Sequence, residues 1–319
     1  MRSYIFRIVF EIFGYIYFMF QALQKIFDKK SDSSIYPTVF DDSKAAFEEI
    51  ERVGFAVIKL MDNYFHNEFY EESKAFVDEL EKNKIIEPFL SVGRLENSQI
   101  RNFSKELVKK YLDEKLALFF NPLQYEIIFG THLLKKNNKN SILNPHQDSS
   151  HVDETLYSTY HIWIPVSVPS FNFGTLEVIP YSHKLNIPFR SLNIPWSLSE
   201  HENNLWKFMK KIHITSGHAI VFDSKLIHGS GINRTNNIRI AANSLIKPKS
   251  ADFIHCYSDN KTNFQKIELY KITPDFYYNE NIMEKPKGYT LLKTVENSNQ
   301  KYSLKELEII FNNSIHHAF

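Results

Sequence analysis

The sequence predicts a mainly β domain with flanking helices, its strands closing as an antiparallel sandwich or jelly roll. Three observations lead there. From about residue 125 to 248, short β-rich runs (125–134, 158–168, 174–179, 211–215, 218–222 and 237–246) are separated by Pro, Gly, Ser and Asn. Ahead of them, residues 41–52, 65–82 and 104–119 carry helical periodicity and helix-forming Glu, Lys, Leu and Ala. The 319 residues, 43% apolar, suffice for one large domain with additions.

Composition narrows the function. The net charge is +1 and no basic stripe stands out, which argues against nucleic acid as a partner. The single Cys256 excludes an internal disulfide and a cysteine-based zinc site, and fits a reducing, cytoplasmic setting. Asn102 to Ser104 and Asn233 to Thr235 match the glycosylation pattern, but without a secretory context they read as chance matches.

Residues 4–20 (YIFRIVFEIFGYIYFMF) are apolar yet include Arg7 and Glu11, which fall near one helical stripe with Gln21 and Lys25. The stretch is short for a spanning helix, its charges make spanning costly, and it lacks a signal-peptide cleavage site. It reads as an amphipathic helix. Peripheral membrane contact through residues 4–25 and packing on the domain or on a second subunit are both open. A polar linker closes this first region at residue 34. Residues 35–250 then form the main domain, with its jelly-roll core at about 125–248. After the strand ending at Leu134, Lys135 to Asn140 reads as a polar turn. Residues 184–210 interrupt the strands with Pro188 and Pro195, a helix-like 199–211, and Arg190, Trp196, Trp206 and Phe208; such an insertion suits a lid. Residues 251–319 are a C-terminal extension expected to pack on the core, with no motif of their own.

The chemistry centres on His146 and Asp148. Residues two apart on a strand point to the same face, so this pair can grip one metal ion. His228, at the end of a later strand, would complete a two-histidine, one-carboxylate face. That ligand set suits Fe(II) and leaves coordination positions open. His151 is a rival ligand, but it would need a local turn after the strand. His161, His183, His213 and His218 read as structural or surface histidines. Alone, His-x-Asp is a weak signal. Context strengthens it: a core strand through Trp163, the run Gly174 to His183 (GTLEVIPYSH), then His228 with Ser230 two residues and Arg239 eleven residues further on.

With those elements the sequence resembles the phytanoyl-CoA dioxygenase family of Fe(II)- and 2-oxoglutarate-dependent oxygenases, over about residues 44–246. Two departures stand out: an extra residue in Asn172 to Gly174, and Tyr181 where the family usually has glycine. The resemblance implies a double-stranded β-helix, a cupin-like jelly roll. It implies that His146, Asp148 and His228 bind Fe(II) and that Arg239, with Ser230, holds the distal carboxylate of 2-oxoglutarate. An arginine fork suits that carboxylate. Arg234 is a rival for the same role. Trp163 would pack in the core or beside the co-substrate, and Thr131, the only polar residue on the inner face of its strand, could touch 2-oxoglutarate.

The reaction implied consumes 2-oxoglutarate and O2, releases succinate and CO2, and hydroxylates an unactivated C–H of a small-molecule, lipid or sugar-containing substrate. Related halogenases replace the carboxylate ligand by a small residue, so Asp148 favours hydroxylation over halogenation; desaturation, epoxidation and ring formation share the iron site. Two readings from other classes are a non-catalytic jelly-roll binding protein and a membrane-associated scaffold.

Overall fold

The computed structural model describes residues 34–315, and the stretch at residues 4–25 lies outside them. Among the described residues no helix is long and apolar enough to cross a membrane.

Helices α1 (Ser43–Val53), α2 (Asn63–Lys82) and α3 (Ser98–Phe119) start where the sequence supplies a cap. The side chains of Asp42, Asp62 and Asn97 each accept a first-turn N–H, satisfying donors with no intrahelical partner. α1 stops at Gly54, whose φ of 99° is a left-handed turn that glycine adopts without strain.

A seven-stranded sheet runs in the order β2 (Val39–Phe40), β3 (Phe55–Lys59), β10 (His218–Asp223), β7 (Tyr160–Pro165), β12 (Arg239–Pro248), β5 (Tyr125–Lys135) and β4 (Phe89–Ser91). A five-stranded sheet runs β1 (Ser34–Ile35), β9 (Lys210–Ile212), β8 (Leu176–Val178), β11 (His228–Ser230) and β6 (Leu143–His146). Alternation along the strands sorts the core. On β12, Ile240, Ala242 and Ile246 face the helices with Ile162, Val221 and Leu134. The opposite faces bring Trp163, Ile220, Phe222 and Ala241 of the larger sheet against Leu176, Val178 and Ile212 of the smaller. The result is the jelly roll, with helices on one outer face.

On the helix side of β5, His132 is fully buried, with one ring nitrogen 2.8 Å from Ser104 Oγ and the other 3.0 Å from Ser73 Oγ. Burial pushes its pKa down to about 3. The unfolded chain therefore takes up this proton first, and stability falls as pH drops below the free-histidine value of about 6.5. At pH 5 the group costs about 2 kcal/mol relative to pH 8. Urea denaturation of the wild type and of His132→Gln at both pH values checks this: the acid loss should shrink in the variant, and equal losses would refute it.

Residues 184–210 hold short turns and one helical turn, α4 (Glu202–Leu205), where a longer helix is expected from sequence. The poor helix formers His201, Asn203 and Asn204 lie in that run, and it tightens into single 3-10 turns on either side of α4, at Ser199–His201 and Trp206–Phe208. Leu185, Ile187, Leu198, Leu205 and Phe208 form their own apolar cluster with Leu307 and Phe311 of α6 (Leu304–Ile315). The C-terminal extension adds a sheet of β13 (Ile254–Tyr257), β14 (Lys266–Lys271) and β15 (Thr290–Glu296). It also adds α5 (Phe276–Asn279), whose Phe276 packs with Leu245 of β12, Phe253 and Tyr270.

Candidate metal centre

His228 pairs in register with His146 across β11 and β6, which sets the two rings 4.3 Å apart. Asp148 lies two residues beyond His146. One ligand atom from each of the three residues falls within 4.8 Å of the others. The imidazoles are oriented from behind: His146 Nδ1 donates to the Asn144 carbonyl at 2.8 Å, and His228 Nδ1 donates to the Leu226 carbonyl at 3.0 Å. Both Nε2 lone pairs are thereby left for a metal. Burial, reinforced by His228, pushes His146 down to about 4, so its ring is neutral at pH 7. Burial likewise lowers the pKa of His228. Burial alone would raise Asp148, but His161, His228 and His146 reverse this and hold it below the usual carboxylate range. Two neutral imidazoles and a carboxylate are donors that fit Fe(II). The side chains of His146 and Asp148 are 33% and 25% exposed against 7% for His228, so the centre opens on the side of the first two.

Two residues past His228 on the same strand, Ser230 stands at a buried cationic cluster. Arg239 is buried at the start of β12, with Nη1 donating to the Gly174 carbonyl at 2.8 Å and the guanidinium 5.8 Å from the Trp163 ring. Gly174 has φ 67°, and a Cβ there would meet the Gly231 carbonyl at 2.4 Å, so only glycine brings this carbonyl to the fork. Arg239 Nε has no hydrogen-bond partner, and no carboxylate pairs with the guanidinium among the described residues. Burial pushes this guanidinium down to about 10. A buried fork with a free donor and no counter-ion is built to receive an anion.

Residues 39–241 match the family described as Phytanoyl-CoA dioxygenase (PhyH). The chain belongs to the phytanoyl-CoA dioxygenase family. Family membership and the His-Asp-His cluster bring the cofactors Fe(II), 2-oxoglutarate and O2. No curated protein matches the sequence. Solved structures similar to the chain include AviO1 from Streptomyces viridochromogenes Tue57, at 17% identity and TM-score 0.48, covering 67% of this chain and 98% of that one. Others are the non-heme alpha ketoglutarate dependent epimerase SnoN from nogalamycin biosynthesis (14%, TM-score 0.46, 66% and 85%) and HygX from Streptomyces hygroscopicus with nickel and 2-oxoglutarate bound (15%, TM-score 0.46, 65% and 87%).

In this member of the phytanoyl-CoA dioxygenase family, several residues sit differently from their sequence expectation. His161 lies beside the ligand cluster. The Asn243 amide donates to its Nδ1 at 3.1 Å, Phe222 stacks on its ring, and Nε2 lies 3.1 Å from Asp148 Oδ2, off the line of a hydrogen bond. Its place on β7, opposite Phe222 and Leu245, turns it inward, and the sequence signal was only its two-residue spacing from Trp163. Lys135 is not in a turn: it is the last residue of β5 and wholly buried. Thr131 Oγ1 accepts the Gly93 N–H at 2.7 Å, which seats the turn carrying Arg94, whose charge reaches His146. Trp163 is buried between the sheets. His151 turns away from the ligand cluster: its Nδ1 lies 3.1 Å from the Tyr277 hydroxyl. Arg234 and Arg239 separate clearly, since the former is exposed and the latter buried. Asn233 is buried and donates to the Lys135 and Asn237 carbonyls, so its sequon cannot be reached by a glycan.

Of the four insertion residues, Arg190 and Phe208 are buried, and Trp196 Nε1 donates to Gln147 Oε1 at 3.0 Å, between the two ligands of the His-x-Asp pair. Trp206 packs at the edge of the apolar cluster.

Proposed function

We propose that this protein is an Fe(II)- and 2-oxoglutarate-dependent hydroxylase acting on an unactivated C–H of a small-molecule, lipid or glycan-precursor substrate. One observation carries the reading: the triad, its two imidazoles pinned by backbone carbonyls, shares β11 with Ser230, beside a buried Arg239 whose Nε is unpartnered and which meets no carboxylate among the described residues. On that strand His228 and Ser230 lie on one face roughly 6.6 Å apart, a span a five-carbon dicarboxylate bridges. His146, Asp148 and His228 would hold the iron, which together with 2-oxoglutarate and O2 supplies C–H oxidation coupled to release of succinate and CO2. Arg239 and Ser230 would hold the distal carboxylate. Carbonyls behind the imidazoles preset the ligands, so little reorganisation accompanies binding. Asp148 occupies the position that halogenases vacate, which favours hydroxylation. Trp196 and the segment around it line the approach beside Gln147 and are placed to select substrate. Membrane contact through residues 4–25 would bring a lipid or lipid-linked glycan precursor, whereas packing of that stretch on protein leaves a free sugar or amino-acid derivative; turnover of matched substrates free and on vesicles separates these.

The test is anaerobic titration with Fe(II) and 2-oxoglutarate, watching for the visible charge-transfer band, followed by succinate measurement after O2 is admitted. The band and the succinate are expected, and a protein that gives neither is a binding protein. Arg239→Leu should keep iron but lose 2-oxoglutarate affinity by about 2 kcal/mol or more, roughly thirtyfold. Unchanged 2-oxoglutarate binding would remove Arg239 from the site.

A further inference from the structure

We propose that the C-terminal extension completes the substrate cavity beside the metal centre, and that His151, set by Tyr277, accepts a hydrogen bond there from a hydroxyl of an uncharged, largely apolar substrate. This rests on the oxygenase reading above and names the substrate class for the same site.

The cavity wall begins at the ligands. His161, whose Nε2 lies 3.1 Å from Asp148 Oδ2, pairs across β7 and β12 with Leu245, and Leu245 pairs across β12 and β5 with Phe129. Two strand spacings carry this row roughly 10 Å away from His161 along the inner face. Its cover differs from that of its neighbours. Leu133, Trp163 and Ala241 face the smaller sheet, whereas Leu245 and Phe129 pack with Phe253, Phe276 and Tyr277. The last three lie beyond residues 39–241, which match the family, so this chain closes the row with a segment of its own.

His151 stands where the row meets the extension. Its ring is 6.1 Å from that of Phe129, stacks on Phe253 at 5.5 Å and lies edge-on to Tyr277 at 5.2 Å. The residue is 7% exposed. Its Nδ1 is 3.1 Å from the Tyr277 hydroxyl, and that hydroxyl donates to the Ile254 carbonyl at 3.3 Å. A hydroxyl has one hydrogen, so both contacts are made only when Nδ1 carries the imidazole proton and donates it to the Tyr277 oxygen. Burial, with His161 next, pushes His151 down to about 3, so the ring is neutral and has a single N–H. Nε2 is then a lone pair, and it has no hydrogen-bond partner among the described residues. A buried acceptor without a donor, set in an aromatic wall, is built to take a donor from a ligand. The tautomer that Tyr277 imposes selects an O–H over a C=O. No charged side chain belongs to the row or its cover, which suits an uncharged substrate body.

The probes are cyclohexanol and cyclohexanone, two apolar rings of which only the first offers a hydrogen-bond donor. Proton–nitrogen correlation spectra of the full chain, with isotope-labelled histidine, Zn(II) and 2-oxoglutarate, read the tautomer, and His151→Leu assigns the signal. His151 should carry its proton on Nδ1, its Nε2 should shift with cyclohexanol, and cyclohexanol should bind about tenfold more tightly than cyclohexanone. Tyr277→Phe frees the tautomer, so that preference should vanish while the Fe(II)–2-oxoglutarate charge-transfer band persists; a tyrosine that merely packs would leave the preference intact, and that result overturns its role. A wild-type ring with its proton on Nε2, an Nε2 that ignores cyclohexanol, or equal affinity for the two probes overturns the proposal. These wild-type readings decide even if the variant fails to fold. Absence of the charge-transfer band in the wild type would instead sink the underlying oxygenase reading.

Discussion

His228→Ala abolishes iron binding at micromolar metal and takes 2-oxoglutarate turnover to background. His228 is the deepest of the three candidate ligands, and its ring is held by the Leu226 carbonyl with Phe222 4.7 Å away. Among the described residues no other group completes the cluster: His161 Nδ1 accepts from the Asn243 amide, which leaves the ring proton on Nε2 and no lone pair for a metal, and His151 is tied to Tyr277. The remaining His146 and Asp148 are a two-ligand site, which loses the closed face that suits Fe(II). The contrast variant is His161→Phe. It keeps all three ligands and the stack on Phe222 but removes the nitrogen beside Asp148 Oδ2. Outer partners of ligands typically contribute roughly 10–100-fold in metal affinity or activity. His161→Phe should therefore fall in that range and His228→Ala well beyond it. Metal content after dialysis and succinate per enzyme give both numbers. Equal effects, or full iron occupancy in His228→Ala, would dismantle the assignment of this centre.

The second large effect is on stability. Arg190→Leu should cost about 3–5 kcal/mol, because it strands the buried carboxylate of Glu154. Arg190 clamps Glu154 with two bonds of 2.6 and 2.8 Å, and both side chains are almost fully buried. Burial opposes the charge, but Glu154 holds the guanidinium above its ordinary value. The remaining donors tie the insertion to the metal strand: Nε reaches the Asp148 carbonyl at 2.7 Å and Nη1 the Ile187 carbonyl. Ser150 adds to this, its Oγ donating to the Pro188 carbonyl. The double variant Arg190→Leu with Glu154→Leu removes both charges and should recover much of the loss, since an apolar pair can replace a buried ion pair at little cost. Urea unfolding of the three proteins measures it. A single variant within about 1 kcal/mol of wild type would show that the pair is not the buried link drawn here.

How far the sequence could be read depended on the range of each signal. The β runs, the helices with their Asp and Asn caps, and the pair His146 and Asp148 are local patterns, and strand alternation puts the pair on one face. His228 could be added as a histidine at the end of a later strand, and Ser230 and Arg239 through the family resemblance, because the spacing that carries it runs along two consecutive strands and survives folding. Lys135 was misread for the opposite reason. In sequence it opens the run Lys135 to Asn140, which has the composition of a turn; only its register opposite Arg239 shows that it is buried. His161 reads as core because it is a histidine in an apolar strand, and its approach to Asp148, 13 residues away in the chain and 3.1 Å in space, is visible only in the fold. Arg190 was expected at a lid and lies in the interior, because its partner Glu154 belongs to a separate segment. The sequence alone thus determined the jelly-roll class, the metal ligands as candidates and the family. The tertiary structure decided which charges are buried together, because pairing across strands and between segments sets desolvation, and desolvation governs where an anion binds and where a proton goes.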